Sequence, residues 1–231
     1  MGGADRDHDL FWNNPVTPEL KAAISRLGAG EYKDGSSTKP GWLYQPMGDF
    51  FHDLRDVPVH SAKAVRHTFE IIKAHPTAEP GALLDFGCST GYYLKLPGYH
   101  EHARYGWDAD ENAVAVAKVL GLVVNLWTPA ILRNHFYPKP VTALFLNCHM
   151  WAHKAGVADE MMAGIAQVAD RVFFQTAGLH SAGRYRVLDF TNMEDERLYL
   201  SRWFGSIEHL DANPHHGGIR HLWLLQNPKR S

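Results

Sequence analysis

The chain has 231 residues, which suits one α/β domain with an N-terminal extension and allows a full hydrophobic core. Its 23 lysines and arginines stand against 25 aspartates and glutamates, and the net charge of −2 provides no electrostatic footprint for nucleic acid. No apolar run approaches the roughly 18 residues that span a bilayer, and the charged start MGGADRDHDL lacks the core of a signal peptide. We therefore expect a cytoplasmic protein that binds neither membrane nor nucleic acid, and whose two cysteines form no disulfide framework.

The chain opens with an extension that we place at residues 1–78. Thr17 is a suitable N-cap, and Pro18 a suitable first residue, for a short helix that runs to about Leu27. Residues 28–40, GAGEYKDGSSTKP, have the glycine, serine and proline content of a loop. These signals predict one short helix followed by a long connection.

The stretch GWLYQPMGDFF at residues 41–51 is rich in aromatic residues and is interrupted by glycine and proline. Because so apolar a segment is unfavourable in water, we expect it to pack over another part of the chain. Two interpretations are open: a lid across a ligand crevice, with Tyr44 as a substrate contact, or a packing arm with a small core of its own. An amphipathic helix is predicted next, over residues 57–75, with Pro58 in its first turn.

The remaining residues, 79–231, form a domain organised around ALLDFGCSTGYY at positions 82–93. The apolar start of this stretch is long enough for a buried parallel strand, and the residues from Gly87 to Gly91 supply a tight turn. A helix is predicted to begin at Tyr92. Glycine lets the backbone approach a ligand closely, and free N–H groups at the start of a helix point into the same space. The sequence therefore predicts a ligand cradle at the carboxyl end of this strand.

A second strand and a second helix follow within ARYGWDADENAVAVAKVLG, residues 103–121. The strand is predicted to end at Asp108, which lies 17 residues beyond Gly91. A carboxylate at this place reaches the diol of a ribose, because it accepts the hydrogens of both hydroxyl groups. A helix over residues 111–120 then buries one apolar face.

Strands and helices alternate beyond this point, and the chain ends in two strands whose turn-rich connection suits an antiparallel hairpin. In chain order, the sequence predicts strands at 122–126, 141–147 and 171–175, helices at 155–168 and 193–204, and final strands at 206–210 and 219–226 around the connection 211–218.

Three interpretations of the glycine turn are open. A dinucleotide fingerprint requires G-x-G-x-x-G, whereas Gly87 to Gly91 reads G-x-S-x-G. That pattern matches a nucleophile elbow with Ser89 as nucleophile, but no oxyanion-loop segment and only weakly strand-like sequence precede Ala82. LLDFGCSTGYY closely resembles the first motif of the class I, Rossmann-like S-adenosylmethionine-dependent methyltransferases, with Ser89 in place of the usual middle glycine. A nicotinamide-dependent oxidoreductase and a non-catalytic cofactor-binding relative stay open as alternatives.

The resemblance covers residues 82–226 and implies an α/β fold: a Rossmann-like, seven-stranded, mostly parallel sheet with a C-terminal antiparallel hairpin and helices on both faces. It implies S-adenosyl-L-methionine as the cofactor and methyl transfer as the activity. Asp85 then anchors the methionine amino group, directly or through water, and Asp108 holds the ribose. The resemblance also puts an adenine contact near the end of the third strand, where Trp127 either stacks on the adenine or belongs to the core. The full set of expected cofactor contacts is Asp85, Gly87, Cys88, Ser89, Gly91, Tyr92, Asp108, Ala109, Trp127 and Asn147.

Two histidines follow the fourth strand, where the resemblance places residues that face the methyl group. His149 is the first candidate for a general base and His153 the second, since an imidazole titrates near neutral pH. Their spacing also suits a metal pair, but Met150 stands where a zinc protease has glutamate and no third ligand is evident, so no metal is predicted. Each histidine can equally be a structural residue.

The segment after the fifth strand and the final hairpin supply the candidate substrate contacts His180, Arg184, Arg186 and His215. Arg184 and Arg186 point the same way on an extended segment, which suits a carboxylate or a phosphate. A histidine base favours an oxygen acceptor, and the net charge disfavours nucleic acid as substrate. The sequence therefore predicts a methyltransferase for a small-molecule acceptor, with transfer to oxygen.

Overall fold

The computed structural model describes residues 17–27, 41–51, 54–59, 61–99, 101–128, 131, 136–176, 190, 192–215 and 218–230. Within these ranges, seven strands form one sheet. They are β1 (Ala82–Phe86), β2 (Ala103–Asp108), β3 (Val124–Leu126), β4 (Val141–Leu146), β5 (Arg171–Gln175), β6 (Phe204–His215) and β7 (Gly218–Pro228).

The strands lie in the order β3-β2-β1-β4-β5-β7-β6. Strands β1 to β5 pair in parallel, whereas β7 is antiparallel to both β5 and β6. β6 therefore runs in the same direction as β1 to β5, and the carboxyl ends of all strands except β7 meet at one edge of the sheet. This is the predicted α/β sheet with its C-terminal antiparallel hairpin, and ligands of such sheets bind at the edge where the carboxyl ends meet.

Helices cover both faces of the sheet. The described ones are α1 (Pro18–Arg26), α2 (Ala62–Lys73), α3 (Glu111–Val119), α4 (His149–Lys154), α5 (Ala158–Val168) and α6 (Met193–Leu200), with 3₁₀ turns at Met47–Asp49 and Tyr92–Lys95. None of these helices is both long and apolar enough to cross a membrane.

Two apolar cores lie on opposite faces, because successive side chains of a strand alternate between faces. Leu83 and Leu144 share one core with Phe69 of α2, whereas Leu84 and Phe145 belong to the other core with α5. β1 and β4 are buried along their whole length. Near-continuous apolar runs are typical of strands covered on both faces, which is why this part of the sequence could be assigned.

Long-range contacts shorten the helix predicted at residues 57–75. α2 begins only at Ala62, because the residues before it pair with the N-terminal segment. The Leu43 N–H donates a 2.9 Å hydrogen bond to the Pro58 carbonyl, and Leu43 pairs with Val59 in an isolated parallel bridge. The prediction that Pro58 lies in the first turn of the helix is therefore wrong.

Two other predicted helices also differ from the structure. The helix predicted to begin at Tyr92 is a single 3₁₀ turn that ends before Pro97. The helix predicted at 155–168 is α5, which begins only at Ala158. A further helix that was not predicted, α4, precedes it at His149–Lys154, and Gly156, whose φ is 72°, lies between the two. His149 is the first residue of α4.

The C-terminal hairpin is longer than predicted. β6 extends to His215 and β7 begins at Gly218, so most of the predicted connection 211–218 is strand. Pro214 is tolerated because β6 is the edge strand of the sheet. His215 is the last residue of β6, and the direction of β6 places it at the carboxyl edge of the sheet.

Candidate functional site

The turn after β1 adopts a backbone conformation that ordinary residues avoid. The φ angles of Gly87, Ser89 and Gly91 are 80°, 50° and 88°. A Cβ atom on Gly87 would also overlap the Sγ atom of Cys148. Ser89 adopts a left-handed conformation, which residues other than glycine seldom do.

Asp108 binds this turn to the end of β2. Its Oδ2 atom accepts a 2.7 Å hydrogen bond from the Ser89 N–H, and its Oδ1 atom accepts one of 2.9 Å from the Asp110 N–H. Burial raises the pKa of Asp108, and these two backbone donors lower it in part. Each carboxylate oxygen has a second lone pair, so the group can still accept hydroxyl hydrogens from a ligand.

Asp85 lies beside Asp108 in the neighbouring strand and is almost fully enclosed. Its side chain is 1% exposed, and its Oδ2 atom is buried without a hydrogen-bond partner. Burial raises the pKa of Asp85 well above its usual value, and the negative charge of Asp108 raises it further. A buried carboxyl oxygen without a hydrogen-bond partner costs free energy unless a ligand donates a hydrogen bond to it. This position therefore fits the cationic group of a cofactor.

The N-terminal segment at 41–51 packs directly on the turn. Gln45 is 3% exposed, and its Oε1 atom accepts hydrogen bonds from the Thr90 hydroxyl at 3.2 Å and the Tyr92 N–H at 3.0 Å. The Tyr92 hydroxyl donates a 2.7 Å hydrogen bond to Asp49. The sequence analysis missed Gln45, and its one signal was a lone amide within an otherwise aromatic stretch.

These contacts change the expected role of Tyr92. Its N–H and its hydroxyl both donate to the N-terminal segment, so the prediction of a free N–H at this helix start is wrong. Asp49, which accepts the hydrogen bond from the Tyr92 hydroxyl, also forms a two-point ion pair with Arg66. The Arg66 nitrogens Nη2 and Nε lie 2.6 and 2.8 Å from the two Asp49 carboxylate oxygens. Tyr44 is half-buried. Burial raises the pKa of the Tyr93 phenol well above its usual value, and the nearby Tyr44 raises it further.

Three further predicted cofactor contacts lie at the carboxyl edge. Ala109 is exposed, and Trp127 is half-buried with its ring edge-on to Phe86 at a centroid distance of 6.0 Å. Asn147 has a φ of 60°, and its Nδ2 atom donates a 3.0 Å hydrogen bond to Gln175. The Oδ1 atom of Asn147 is buried without a partner. The ends of β1 and β4 thus each present a buried, unpartnered oxygen.

Both cysteines are free and lie at this edge. Burial raises the pKa of the Cys88 and Cys148 thiols well above their usual values. The Cys148 thiol donates to the carbonyl of Leu146 at 3.1 Å.

We expect thiol titration to count two groups in the denatured, unreduced protein and to proceed slowly in the native protein. The physical reason is that the thiolate is the reactive form, and burial keeps both groups protonated at neutral pH. A count of zero in the denatured protein would contradict free thiols.

His149 lies inside an aromatic cluster. It is 0% exposed, and its ring packs against Phe145 and Phe174 at centroid distances of 6.0 and 5.3 Å. Its Nε2 atom is 3.0 Å from the Tyr199 hydroxyl, which in turn donates to Asp159 at 2.9 Å. Burial lowers the pKa of His149 to about 4. This position is typical of a structural histidine, and the role of His149 as a base stays a prediction.

The other predicted acceptor-side residues are not brought together by the described part of the chain. His153 is exposed on α4. His180, Arg184 and Arg186 lie outside the described residues, as does the side chain of His215. Within the described ranges, no three histidine, cysteine, aspartate or glutamate side chains are placed to hold a metal ion.

Solved structures with a similar fold include those of WbdD. Its co-crystal structure with the kinase inhibitor LY294002 aligns with a TM-score of 0.63 at 16% identity, over 90% of this chain and 47% of that chain. A structure of the bifunctional kinase-methyltransferase WbdD gives a TM-score of 0.62 at 16% identity, over 90% and 46%. The chain thus spans about half the length of these WbdD chains, and at this identity the likeness shows the fold alone. No protein-family model and no curated protein matches the chain.

Proposed function

We propose that the protein is an S-adenosyl-L-methionine-dependent methyltransferase that acts on a small-molecule acceptor at oxygen. The observation that carries the proposal is the pair of acidic residues at neighbouring strand ends: Asp108 is bound to the glycine turn, and the Oδ2 atom of Asp85 is buried without a hydrogen-bond partner. The fold shared with the methyltransferase WbdD supports it. The motif around Gly87 supports it by resemblance.

The residues present fit this cofactor. When bound, it supplies an electrophilic methyl group on a sulfonium. Asp85 has the buried oxygen that would pair with an ammonium, and Asp108 retains lone pairs for two ribose hydroxyls. Trp127 follows Asp108 closely in space, since the backbone N–H of Trp127 donates to the Asp108 carbonyl at 2.9 Å, and its ring is half-buried. That ring is our candidate to cover the adenine.

We propose a small-molecule acceptor because the net charge of −2 means that the chain has no excess of positive charge to attract the phosphates of a nucleic acid. Transfer to oxygen needs a proton acceptor or a purely proximity-driven attack. His149 is neutral above its pKa of about 4, yet it is sealed among aromatic rings. The exposed His153 on the same helix is the more accessible of the two candidate bases.

The proposal is tested by titrating the protein with S-adenosylmethionine, S-adenosylhomocysteine and a nicotinamide dinucleotide in a calorimeter. We expect the first two to bind and Asp108→Ala to weaken them by about 1.5–3 kcal/mol, the scale of hydrogen bonds to a charged group. That loss is roughly a 10- to 150-fold rise in Kd.

Asp110→Ala is the matched control, because the Asp110 side chain caps α3, whereas Asp110 donates to Asp108 through its backbone N–H, which alanine keeps. It should cost stability without a comparable loss of affinity. Binding of the nicotinamide dinucleotide alone would replace the methyltransferase by an oxidoreductase, and unchanged affinity in a folded Asp108→Ala variant would remove Asp108 from the ribose site.

A further inference from the structure

Two carboxyl groups meet at the ends of β1 and β2 without a cation between them. Asp85 of β1 lies opposite Gly106 of β2 in the parallel register, two positions before Asp108. The Asp85 side chain is sealed from solvent, and its Oδ2 atom receives no hydrogen bond. The Asp108 carboxylate, by contrast, holds two backbone N–H groups that favour its ionised form. The protein therefore stabilises a negative charge on Asp108 better than one on Asp85.

The titratable groups around Asp85 come from each element packed against it. Asp108 faces it from β2, and the remaining members are the Cys88 thiol from the turn, the Tyr93 phenol from the 3₁₀ turn and the Cys148 thiol from the segment after β4. Burial raises the pKa of both thiols and of the phenol, so these three groups are neutral at physiological pH. Among the residues that the structure describes, none adds a positive charge that stabilises ionised Asp85.

Resting on the proposed function, we propose that Asp85 carries a proton in the empty protein and releases it when the ammonium of the cofactor binds beside it. Asp85 is thereby the residue that makes the site selective for adenosine ligands with an ammonium group. The step is an ionisation: the O–H bond of Asp85 breaks, the proton passes to the buffer, and the carboxylate pairs with the ammonium. No other bond changes and no electron is transferred.

The direction of the pH dependence follows from linkage. Burial and the charge of Asp108 raise the pKa of Asp85 in the empty protein, and an ammonium at hydrogen-bond distance lowers it in the complex. Between these two pKa values binding releases a proton, so affinity rises with pH. The rise ends where the ammonium itself loses its proton, at about pH 8 for an α-amino group.

The experiment counts protons by calorimetry at about pH 6.5, in two buffers that differ in ionisation enthalpy. The probes are S-adenosylhomocysteine, which has the ammonium, and 5′-methylthioadenosine, which lacks it. We expect the wild-type protein to release a proton on binding the first probe, approaching about one per ligand, and none on binding the second. Asp85→Asn should release none with either probe, and the preference for S-adenosylhomocysteine should shrink by about tenfold or more.

Glu196→Gln is the matched control, because Glu196 is a second fully buried acid that faces Thr176 and Trp223 instead of Asp85. It should leave the proton count unchanged, since Glu196 stays protonated at this pH in both the free and the bound protein.

A second measurement covers the case in which Asp85→Asn does not fold. Carbon NMR of the Asp85 carboxyl in the empty wild-type protein should show the protonated form at about pH 6.5. An ordinary carboxylate there, or binding of S-adenosylhomocysteine without proton release, would overturn the inference. Failure of the wild-type protein to bind any S-adenosyl ligand would instead overturn the proposed function.

Discussion

Replacing Gly87 by alanine is expected to destabilise the protein by roughly 2–5 kcal/mol and to weaken the proposed binding of S-adenosylmethionine at this turn. Two costs add at this position. The φ of 80° is left-handed, which costs a residue with a Cβ atom about 1–2 kcal/mol. The new Cβ atom would also overlap the Sγ atom of Cys148, and such overpacking costs about 1–3 kcal/mol. Urea unfolding of both proteins measures the sum.

Gly121→Ala separates the two costs. Gly121 has a φ of 77°, but a Cβ atom there would meet nothing within 4 Å. This variant should therefore show only the backbone cost of about 1–2 kcal/mol. The double variant Gly87→Ala/Cys148→Ala should recover part of the packing cost, because it removes the Sγ atom. Equal losses in Gly87→Ala and Gly121→Ala would mean that the turn shifts away from Cys148 at no cost.

The parts of the fold that could be predicted are those whose signal is local. The apolar runs of β1 and β4 and the glycine turn between Gly87 and Gly91 are each contained within a few consecutive residues. Asp108 was predicted to lie at the candidate site because it ends β2. In the structure its side chain accepts a hydrogen bond from the Ser89 N–H of the turn. The prediction agrees with the structure here because a short, continuous apolar run has few interpretations other than a parallel strand buried on both faces.

The parts that could not be predicted depend on contacts between distant segments. Pro58 is a good first residue for a helix, but its carbonyl accepts a hydrogen bond from Leu43, and no local pattern reveals that partner. Gln45 reaches Thr90 and Tyr92 across more than forty residues of sequence. Tertiary contacts of this kind override local propensity, and a single sequence does not contain them.

The N-terminal segment illustrates the same limit. The sequence left open a lid and an arm with a core of its own. Its buried residues Leu43, Met47 and Phe51 belong to the same core as Leu83 of β1. The segment therefore has no separate core, and through Gln45 it is part of the wall of the candidate site. That the segment also opens and closes as a lid stays a prediction. The rate at which a Gln45→Met variant binds S-adenosylmethionine would test it.

Glu196→Gln is expected to remove a fall in stability that the wild-type protein shows at mildly alkaline pH. Glu196 lies on α6, is 0% exposed, and has two carboxyl oxygens without a hydrogen-bond partner. Burial raises its pKa to about 8, although the nearby Thr176 hydroxyl and Trp223 indole lower it in part. A raised pKa means that the folded protein holds a proton that the unfolded chain has lost. Its contribution is complete below pH 4.5 and is lost as pH rises through about 8.

For one proton the free energy of unfolding changes by about 1.4 kcal/mol per pH unit. The stability that Glu196 contributes therefore falls by on the order of 4 kcal/mol between pH 4.5 and about 8. His149 acts in the opposite direction. Its lowered pKa of about 4 means that the unfolded chain binds the extra proton, so its contribution is complete above pH 6.5 and is lost as pH falls through about 4. Between pH 4.5 and 6.5 the contributions of Glu196 and His149 to the free energy of unfolding therefore oppose each other.

Between pH 6.5 and about 8 the contribution of Glu196 is not opposed by His149, which no longer titrates in either state. Glu196→Gln cannot ionise, so its free energy of unfolding should increase relative to that of the wild-type protein as pH rises from 4.5 to about 8. Glu194→Gln is the control on the same helix, because Glu194 is exposed and paired with Arg197, so its removal should leave the alkaline fall in place. Urea unfolding of the three proteins across this range measures the difference directly. Parallel curves for the wild type and Glu196→Gln above pH 6.5 would show that Glu196 ionises without cost, which requires a cation or a water cluster at its two oxygens in solution.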